Sequence, residues 1–319
     1  MDQHRQVPRY GYRCLSVTII SCQLNVCSCP GSVMFVFAIS SIDESCNNDT
    51  RYFLHTGDFR ASRELIDNPI LSKLAVHYDA VYLDTTYCDP EYVFPAQEKV
   101  ILECCRVVDR LVNKHDARLF SPICRLILIG SYLVGKEKIA VAIAKLLGSK
   151  IYCSNRKRMV LGCLEWPELM QLLTDEPTEA RIHLVLMRDL ETESIGAMLN
   201  ALWPRYTHAL AIRPTGWTFG PSPANGDGKL TFANHTRRDN HGQVIRRKDA
   251  IAVYATPYSE HSSFAELTRF LQASWLSYSW IIPTVDNPFD NYLRCNDFTD
   301  PRQLLSAWHS VRSSTSKPS

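Results

Sequence analysis

The segment Tyr82-Leu83-Asp84-Thr85-Thr86-Tyr87-Cys88 joins a short apolar run to an acidic residue and then to small polar residues. The run at residues 80–83 predicts a buried strand that ends just before Asp84. A carboxylate at the end of a strand is held by a rigid scaffold and faces an open loop, which is a placement typical of metal sites. Asp84 is therefore the first candidate site residue.

Two further segments have the same form. Residues 52–55 predict a strand, and the turn Thr56-Gly57-Asp58 places a second carboxylate at its tip. Such a turn is ordinary by itself, but two acidic strand ends strengthen the metal hypothesis. His261 lies in a polar loop between a predicted strand at residues 251–255 and a predicted helix at residues 263–272. A lone histidine is usually structural, so the residues alone leave its role open.

The apolar pattern alternates strands with helices along most of the chain. Strands are predicted at residues 15–20, 33–39, 125–129, 151–153, 183–187, 209–213 and 279–283, and helices at residues 94–112, 136–147, 166–173 and 195–202. This alternation predicts an α/β fold. Residues 220–248 are rich in Gly, Asn, Asp and Arg, which predicts a long loop or linker.

Composition excludes several classes of protein. Of the 319 residues, 45% are hydrophobic, and 35 Lys and Arg nearly balance 33 Asp and Glu, so the chain is not disordered. Its apolar stretches are shorter than the roughly 18 residues that span a bilayer, and the first residues do not resemble a secretory signal. The 12 cysteines include no Cys-x-x-Cys pair, which favours free thiols in a reducing compartment.

Charge is unevenly distributed. Residues 99–158 contain 13 basic and four acidic residues, whereas residues 165–193 contain eight acidic and two basic ones. A basic region of this size predicts a surface for an acidic partner such as a nucleic-acid backbone. The turn Gly130-Ser131-Tyr132-Leu133-Val134-Gly135-Lys136 also matches a phosphate-binding P-loop, but Glu137 stands where that motif needs Ser or Thr. Nucleotide binding is therefore disfavoured, and a phosphate contact by Lys136 stays open.

Together these segments resemble the DNA cross-link repair nucleases of the metallo-β-lactamase superfamily, the β-CASP branch that includes Artemis and Apollo. The resemblance covers residues 29–287 and is closest to the cross-link repair 5′ exonucleases. It rests on Cys29-Pro30-Gly31-Ser32-Val33-Met34-Phe35, residues 55–60, residues 82–92 with Phe94-Pro95, Gly135-Lys136-Glu137-Lys138, Arg213-Pro214-Thr215-Gly216-Trp217, residues 257–264 and Ile281-Ile282-Pro283-Thr284-Val285.

The resemblance implies an α/β fold made of a metallo-β-lactamase αββα sandwich with an inserted α/β β-CASP domain. Residues 1–28 are then an atypical N-terminal segment, 29–88 an incomplete first part of the sandwich, 89–249 the β-CASP insertion, 250–287 the second part, and 288–319 a C-terminal tail. The basic region falls inside the insertion, where it is expected to follow the DNA backbone.

The implied activity is that of a zinc-dependent 5′→3′ exodeoxyribonuclease in the nucleus. Its implied substrates are DNA ends, single-stranded or in damaged duplex, during interstrand cross-link and double-strand break repair. The family pattern makes Asp58 and His261 metal ligands and makes Asp84 a supporting catalytic residue. It also suggests phosphate contacts by Lys136, Arg213, Thr215 and Ser259. No membrane partner is expected.

The chain departs from the family pattern at its principal metal motif, His-x-His-x-Asp-His. No two of its ten histidines are separated by one residue, and Ser28 stands where the family has a histidine before Cys-Pro-Gly. His55 is expected to face away from Asp58, which leaves His4, Cys27 and Cys29 as remote substitutes. A catalytic zinc typically takes three protein ligands, so impaired zinc binding and catalysis are expected.

Three hypotheses therefore remain. The preferred one is a repair nuclease whose first residues come from a truncated product or an incomplete gene model, so that one sheet exposes an edge. The alternative is a non-catalytic DNA-binding or scaffold protein that keeps the basic β-CASP domain. A nucleotide-binding protein centred on Lys136 is the third.

Overall fold

The computed structural model describes residues 15–22, 32–41, 50–69, 71, 78–88, 92, 94–112, 124–216, 228–238, 243–272 and 280–284. The sequence predictions for His4, Cys27, Ser28, Cys29, Trp217 and the tail lie outside these residues. The chain divides into two compact units, each built on one sheet. Both sheets mix parallel and antiparallel strands, and the prediction of an α/β fold is confirmed.

The first unit contains a five-stranded sheet in the order β1-β2-β3-β4-β12. Its strands are β1 (Leu15–Cys22), β2 (Met34–Ser41), β3 (Arg51–His55), β4 (Ala80–Leu83) and β12 (Trp280–Pro283). The first three are antiparallel, and β4 runs parallel to both β3 and β12. All five strands were expected from the apolar pattern, with bounds that differ by two residues at most.

The parallel pairing of β3 with β4 decides where the acidic turns lie. Phe53 is opposite Ala80, and His55 is opposite Tyr82, so the two strands end at the same edge of the sheet. Leu54 and Val81 are fully buried and adjacent in this register, which fixes it, because a slip by one residue would expose them. β1 pairs with β2 from Leu15 opposite Ser41 to Cys22 opposite Met34, so β1 covers that edge of β2.

The second unit contains a seven-stranded sheet in the order β10-β11-β9-β5-β8-β6-β7. Its strands are β5 (Arg125–Ser131), β6 (Lys150–Cys153), β7 (Leu173–Thr174), β8 (Ala180–Leu186), β9 (His208–Pro214), β10 (Lys229–Arg238) and β11 (Val244–Thr256). Every pairing is parallel except β10 with β11.

Seven α-helices are described along the chain. They are α1 (Arg63–Ile66), α2 (Gln97–Val112), α3 (Glu137–Leu147), α4 (Asn155–Gly162), α5 (Pro167–Leu172), α6 (Thr192–Ala201) and α7 (Phe264–Leu271). Helix α3 ends at Gly148, whose φ of +57° is the left-handed conformation expected of a glycine that stops a helix. Among the described residues, none of these helices is long and apolar enough to cross a bilayer.

Side chains cover both faces of the second sheet. Ile127 and Ile129 of β5 belong to the core cluster that includes α2 and α3, whereas Leu126 and Leu128 belong to a second cluster that includes α6. All seven residues of β5 are buried. A strand that is covered on both faces reads as a continuous apolar run, and for this reason β5 was predictable.

One sequence prediction is wrong in the described part of the chain. Residues 220–248 were expected to form a loop, but β10 and β11 form a long antiparallel hairpin that pairs Lys229 with Ala255 and Arg238 with Val244. The hairpin exists because the buried second half of β11 joins β9, and the exposed first half continues that strand outward. Its outer half carries charged residues on both faces, so the apolar alternation that predicts a strand is absent.

Candidate metal centre

The turn after β3 and the turn after β4 are tied together by hydrogen bonds. Thr56 N donates to Tyr82 O at 3.0 Å, and Asp84 N donates to Thr56 Oγ1 at 3.1 Å. Gly57 has a φ of +57°, a conformation that residues with a Cβ seldom adopt. The Thr-Gly-Asp turn therefore holds Asp58 beside the strand end that carries Asp84.

The carboxylate of Asp84 is buried and accepts several hydrogen bonds. Oδ1 accepts from Thr86 N at 3.1 Å and from Thr86 Oγ1 at 2.6 Å, and Oδ2 accepts from Phe59 N at 3.3 Å. These donors stabilise a negative charge that burial alone would disfavour.

The residues after Asp58 are anchored on α7. The Nε of the buried Arg60 lies 3.2 Å from Glu266 Oε1 and 3.3 Å from Glu266 Oε2. The ring of Phe59 packs edge-on against Phe270, with centroids 4.9 Å apart. Asp58 itself is exposed. Its backbone is thus fixed on both sides, while its side chain faces solvent.

His261 lies in a short turn between β11 and α7. The Ser259 hydroxyl accepts from His261 N at 3.0 Å and lies 3.1 Å from His261 O. Gln97 at the start of α2 donates through Nε2 to Ser259 O at 2.8 Å, and the ring of Tyr87 lies edge-on to the imidazole at 6.0 Å. Ser259, expected as a phosphate contact, is buried and shapes the turn that carries His261.

Asp58, Asp84 and His261 each bring one ligand atom to within 4.8 Å of the other two. Two carboxylates and an imidazole suit Zn²⁺ and other divalent ions, and three protein ligands are the usual number for a catalytic zinc. The donor set therefore fits one metal ion. The two acidic strand ends led to the prediction of a metal site, and the family resemblance assigned Asp84 a supporting role in it. The parallel register of β3 and β4 places the strand end that carries Asp84 beside the turn that carries Asp58.

Lys136 is directed at the turn that carries His261. Its backbone N donates to Glu260 Oε1 at 2.8 Å, and its buried Nζ lies 3.3 Å from Tyr258 O and 5.2 Å from the Tyr258 ring centroid. Gly135, with a φ of +109°, is required here because a Cβ at this position would meet a Glu260 oxygen. Glu260 was not singled out from the sequence, although it adjoins His261.

Residues 130–136 match a P-loop in sequence, but their turn does not form a phosphate-binding site. Glu137 Oε2 accepts from Gly135 N at 2.7 Å, so a carboxylate occupies the amide that would bind phosphate. Glu137 Oε1 is 2.6 Å from Lys157 Nζ. Burial raises the pKa of Glu137, and Lys157 opposes that shift. The nucleotide-binding hypothesis loses its structural basis.

The other expected phosphate contacts lie in internal interactions. Arg213 donates through Nη2 to Leu190 O at 3.1 Å and to Glu191 Oε1 at 2.9 Å. Thr215 N donates to Thr256 O at 3.1 Å. Contacts of Arg213 and Thr215 with DNA therefore stay predictions.

The basic region at residues 99–158 is compensated in part. Of the 11 cations in this region that the structure describes, six form ion pairs with carboxylates, and Glu168 and Asp175 of the acidic stretch provide two of the partners. The six pairs are Arg106 and Arg110 with Glu103, Lys136 with Glu260, Lys145 with Glu168, Lys157 with Glu137, and Arg158 with Asp175. Two of the six pairs thus join the basic region to the acidic stretch, and together the six pairs reduce the positive charge that the region leaves for a partner.

Comparisons with known proteins agree with this architecture. The family described as DNA repair metallo-beta-lactamase matches residues 167–288. The chain is 36% identical over 285 residues to the DNA cross-link repair protein pso2/snm1 of Schizosaccharomyces pombe, which covers 86% of the chain and 47% of that relative. It is 37% identical over 260 residues to the human DNA cross-link repair 1A protein, covering 81% of the chain and 22% of the relative.

A third relative is the 5′ exonuclease Apollo of Gallus gallus. It is 30% identical over 259 residues, which cover 81% of the chain and 43% of that protein. The chain thus spans about half or less of the length of these relatives.

Proposed function

Because the chain belongs to the DNA cross-link repair nuclease family, whose domain has the metallo-β-lactamase fold, we propose that it hydrolyses phosphodiester bonds at the 5′ ends of DNA. The observation that supports this most is the approach of Asp58, Asp84 and His261 to one another. Their proposed role is to hold a single metal ion, and Zn²⁺ is the ion that we expect.

The three residues contribute differently to such a site. Asp84 is pre-oriented by the donors Thr86 and Phe59, so it keeps its position without a metal. His261 is held by the Ser259 turn, whereas exposed Asp58 faces solvent, where a DNA end approaches. A bound Zn²⁺ would supply Lewis acidity, which polarises the phosphodiester and acidifies an attacking water.

We propose that this activity is weak. The chain contains no His-x-His pair, so the ligands of the family's principal motif have no counterpart in the sequence. Three ligands support one ion, and a single ion cannot stabilise the attacking and the leaving oxygens as a two-metal site does. Digestion is expected to run in the 5′→3′ direction on single strands or damaged duplex, in the nucleus, during interstrand cross-link and double-strand break repair.

The test is digestion of a 5′-phosphorylated single strand labelled at its 3′ end, in the presence of Zn²⁺. Slow shortening from the 5′ end that disappears with EDTA and in the Asp58→Ala variant supports the proposal. Asp67→Ala is the matched control, because Asp67 is an exposed aspartate outside the three-residue cluster. Digestion that survives in Asp58→Ala contradicts the assigned site.

The absence of a His-x-His pair favours a second candidate function, a non-catalytic DNA-binding or scaffold protein. It is distinguished by DNA binding in EDTA without any metal-dependent digestion. A protein that fails to bind DNA at all excludes it.

A further inference from the structure

The hairpin of β10 and β11 carries basic residues on both faces, and on one face two arginines lie beside a histidine. Residues 229–249 contain six Lys and Arg and two Asp. His235 is directly opposite Arg247, and Arg237 is two residues beyond His235 on the same strand. Since side chains alternate between faces along a strand, His235, Arg237 and Arg247 share one face, and Arg246 belongs to the other.

The shared face meets Trp203, which follows α6. The guanidinium carbons of Arg237 and Arg247 are each 4.3 Å from the centroid of the Trp203 ring. A guanidinium that stacks on an indole keeps its N–H groups at the edge of the stack for other partners. Trp203 therefore orders two arginine side chains that are otherwise flexible.

No carboxylate compensates these two arginines among the residues that the structure describes. Nine residues line the cleft around Trp203, and none of them is acidic. None of the described ion pairs includes Arg237 or Arg247, in contrast to the six paired cations of residues 99–158. Burial, and secondarily the charge of Arg237, lowers the pKa of Arg247.

His235 adds no further positive charge near neutral pH. Its pKa is lowered, first by burial and then by Arg247 and Arg237. Its Nε2 lies 3.1 Å from Asn200 Oδ1. The cluster therefore presents two guanidinium groups and a neutral imidazole, and none of the described residues around it is acidic. Such a positively charged cluster attracts an anion.

We propose that Arg237 and Arg247, stacked on Trp203, bind the phosphodiester backbone of the DNA strand away from the metal centre. The choice of DNA as the anion rests on the proposed function. Two guanidinium groups stacked on the same indole ring suit a chain of phosphates, because each guanidinium can bind one of two neighbouring phosphates. The hairpin is then an accessory grip that strengthens DNA binding without taking part in hydrolysis.

The test is fluorescence anisotropy of a labelled single strand with the full chain, in EDTA, as NaCl is increased. Each arginine that contacts one phosphate contributes about 0.7 to the slope of log affinity against log salt, or about fivefold in affinity at 0.1 M salt. We expect Arg237→Gln to lose about this much and to lower the slope accordingly. Arg247→Gln is expected to do the same.

The matched control is Arg246→Gln, which removes the same charge from the neighbouring position on the opposite face. It is expected to leave affinity and slope close to those of the unchanged chain. Equal losses in Arg246→Gln and Arg237→Gln, or unchanged binding in Arg237→Gln, overturn the proposal. The proposal is also overturned if polyglutamate displaces the labelled strand as effectively as unlabelled DNA does, because that result indicates an acidic protein as the partner.

Two features keep this test separate from the nuclease proposal. EDTA removes metal from the assay, so binding is measured whether or not the chain hydrolyses DNA. Thermal unfolding of each variant identifies loss of fold, and Arg237→Gln decides the result if Arg247→Gln unfolds, because Arg247 also donates to Thr207 O at 3.4 Å.

Discussion

Replacing Lys157 by Met removes one member of a buried ion pair at the turn before α3. The side chains of Lys157 and Glu137 are 7% and 1% exposed, and Lys157 Nζ lies 2.6 Å from Glu137 Oε1, 2.8 Å from Tyr132 O and 3.2 Å from Leu133 O. In Lys157→Met, the carboxylate of Glu137 keeps its bond from Gly135 N and loses its cation. Breaking a buried pair in this way costs about 3–5 kcal/mol of unfolding free energy.

The measurement is denaturant unfolding of a double-mutant cycle that adds Glu137→Gln. The neutral amide still accepts a hydrogen bond from Gly135 N. The loss of unfolding free energy in the double variant is therefore expected to be smaller than the sum of the two single losses, by at least about 1 kcal/mol. Lys145→Met is the control, because its pair with Glu168 is exposed and is worth about 0–1 kcal/mol. Equal losses in Lys157→Met and Lys145→Met, or additive losses in the cycle, would show that Lys157 and Glu137 do not stabilise the fold as a buried pair.

The pH dependence of this variant has a defined sign. Burial raises the pKa of Glu137 above its ordinary 4.5, and Lys157 counteracts that rise. Without Lys157 the folded-state pKa rises further, so the folded state binds the proton more tightly than the unfolded state. Stability attributable to Glu137 is then present below pH 4.5 and is lost as pH rises through the folded-state pKa. The deficit of Lys157→Met should therefore shrink towards acidic pH.

Two other predictions concern the turn at Lys136 and the buried thiols. Gly135→Ala is expected to lower the free energy of unfolding by about 1–3 kcal/mol, because a φ of +109° disfavours a residue with a Cβ and because Glu260 occupies the space. Gly148→Ala is the control and is expected to cost less, because a Cβ there meets no neighbouring atom. Comparable unfolding midpoints of the two variants contradict this prediction. Burial raises the pKa of Cys104 to about 12, so its thiol should stay unmodified by a disulfide reagent at pH 8, whereas the exposed Cys163 should react. Mass spectrometry locates the labelled cysteines, and rapid labelling of Cys104 in the folded protein contradicts the prediction.

The sequence identified the family and most of the elements because their signals are local. The strands that end before Asp58 and Asp84 are short apolar runs followed by turn residues, and the motif order carried the resemblance that the comparisons confirm. The approach of Asp84 to Asp58 depends on the pairing of β3 with β4, which are separated by about 25 residues of chain. No local pattern encodes that pairing, and the supporting role predicted for Asp84 comes from the family resemblance alone.

Charge was the least predictable property. The net charge of residues 99–158 indicated a basic surface, but Arg158 and Lys145 find their partners in the acidic stretch that follows. In contrast, Arg237 and Arg247 lie within residues 220–248, for which the sequence predicts a loop, and the structure places both of them on Trp203. The residue count therefore overestimated the unpaired charge of residues 99–158, and it did not single out the two arginines that the described structure leaves without a carboxylate.

The zinc content of the purified full chain after dialysis shows whether Asp58, Asp84 and His261 hold one metal ion. We expect one zinc ion per chain, which is lost in Asp84→Asn and in His261→Ala while the far-ultraviolet circular dichroism is unchanged. Zinc that is absent from the unchanged chain, or retained in both of these variants, would contradict this expectation.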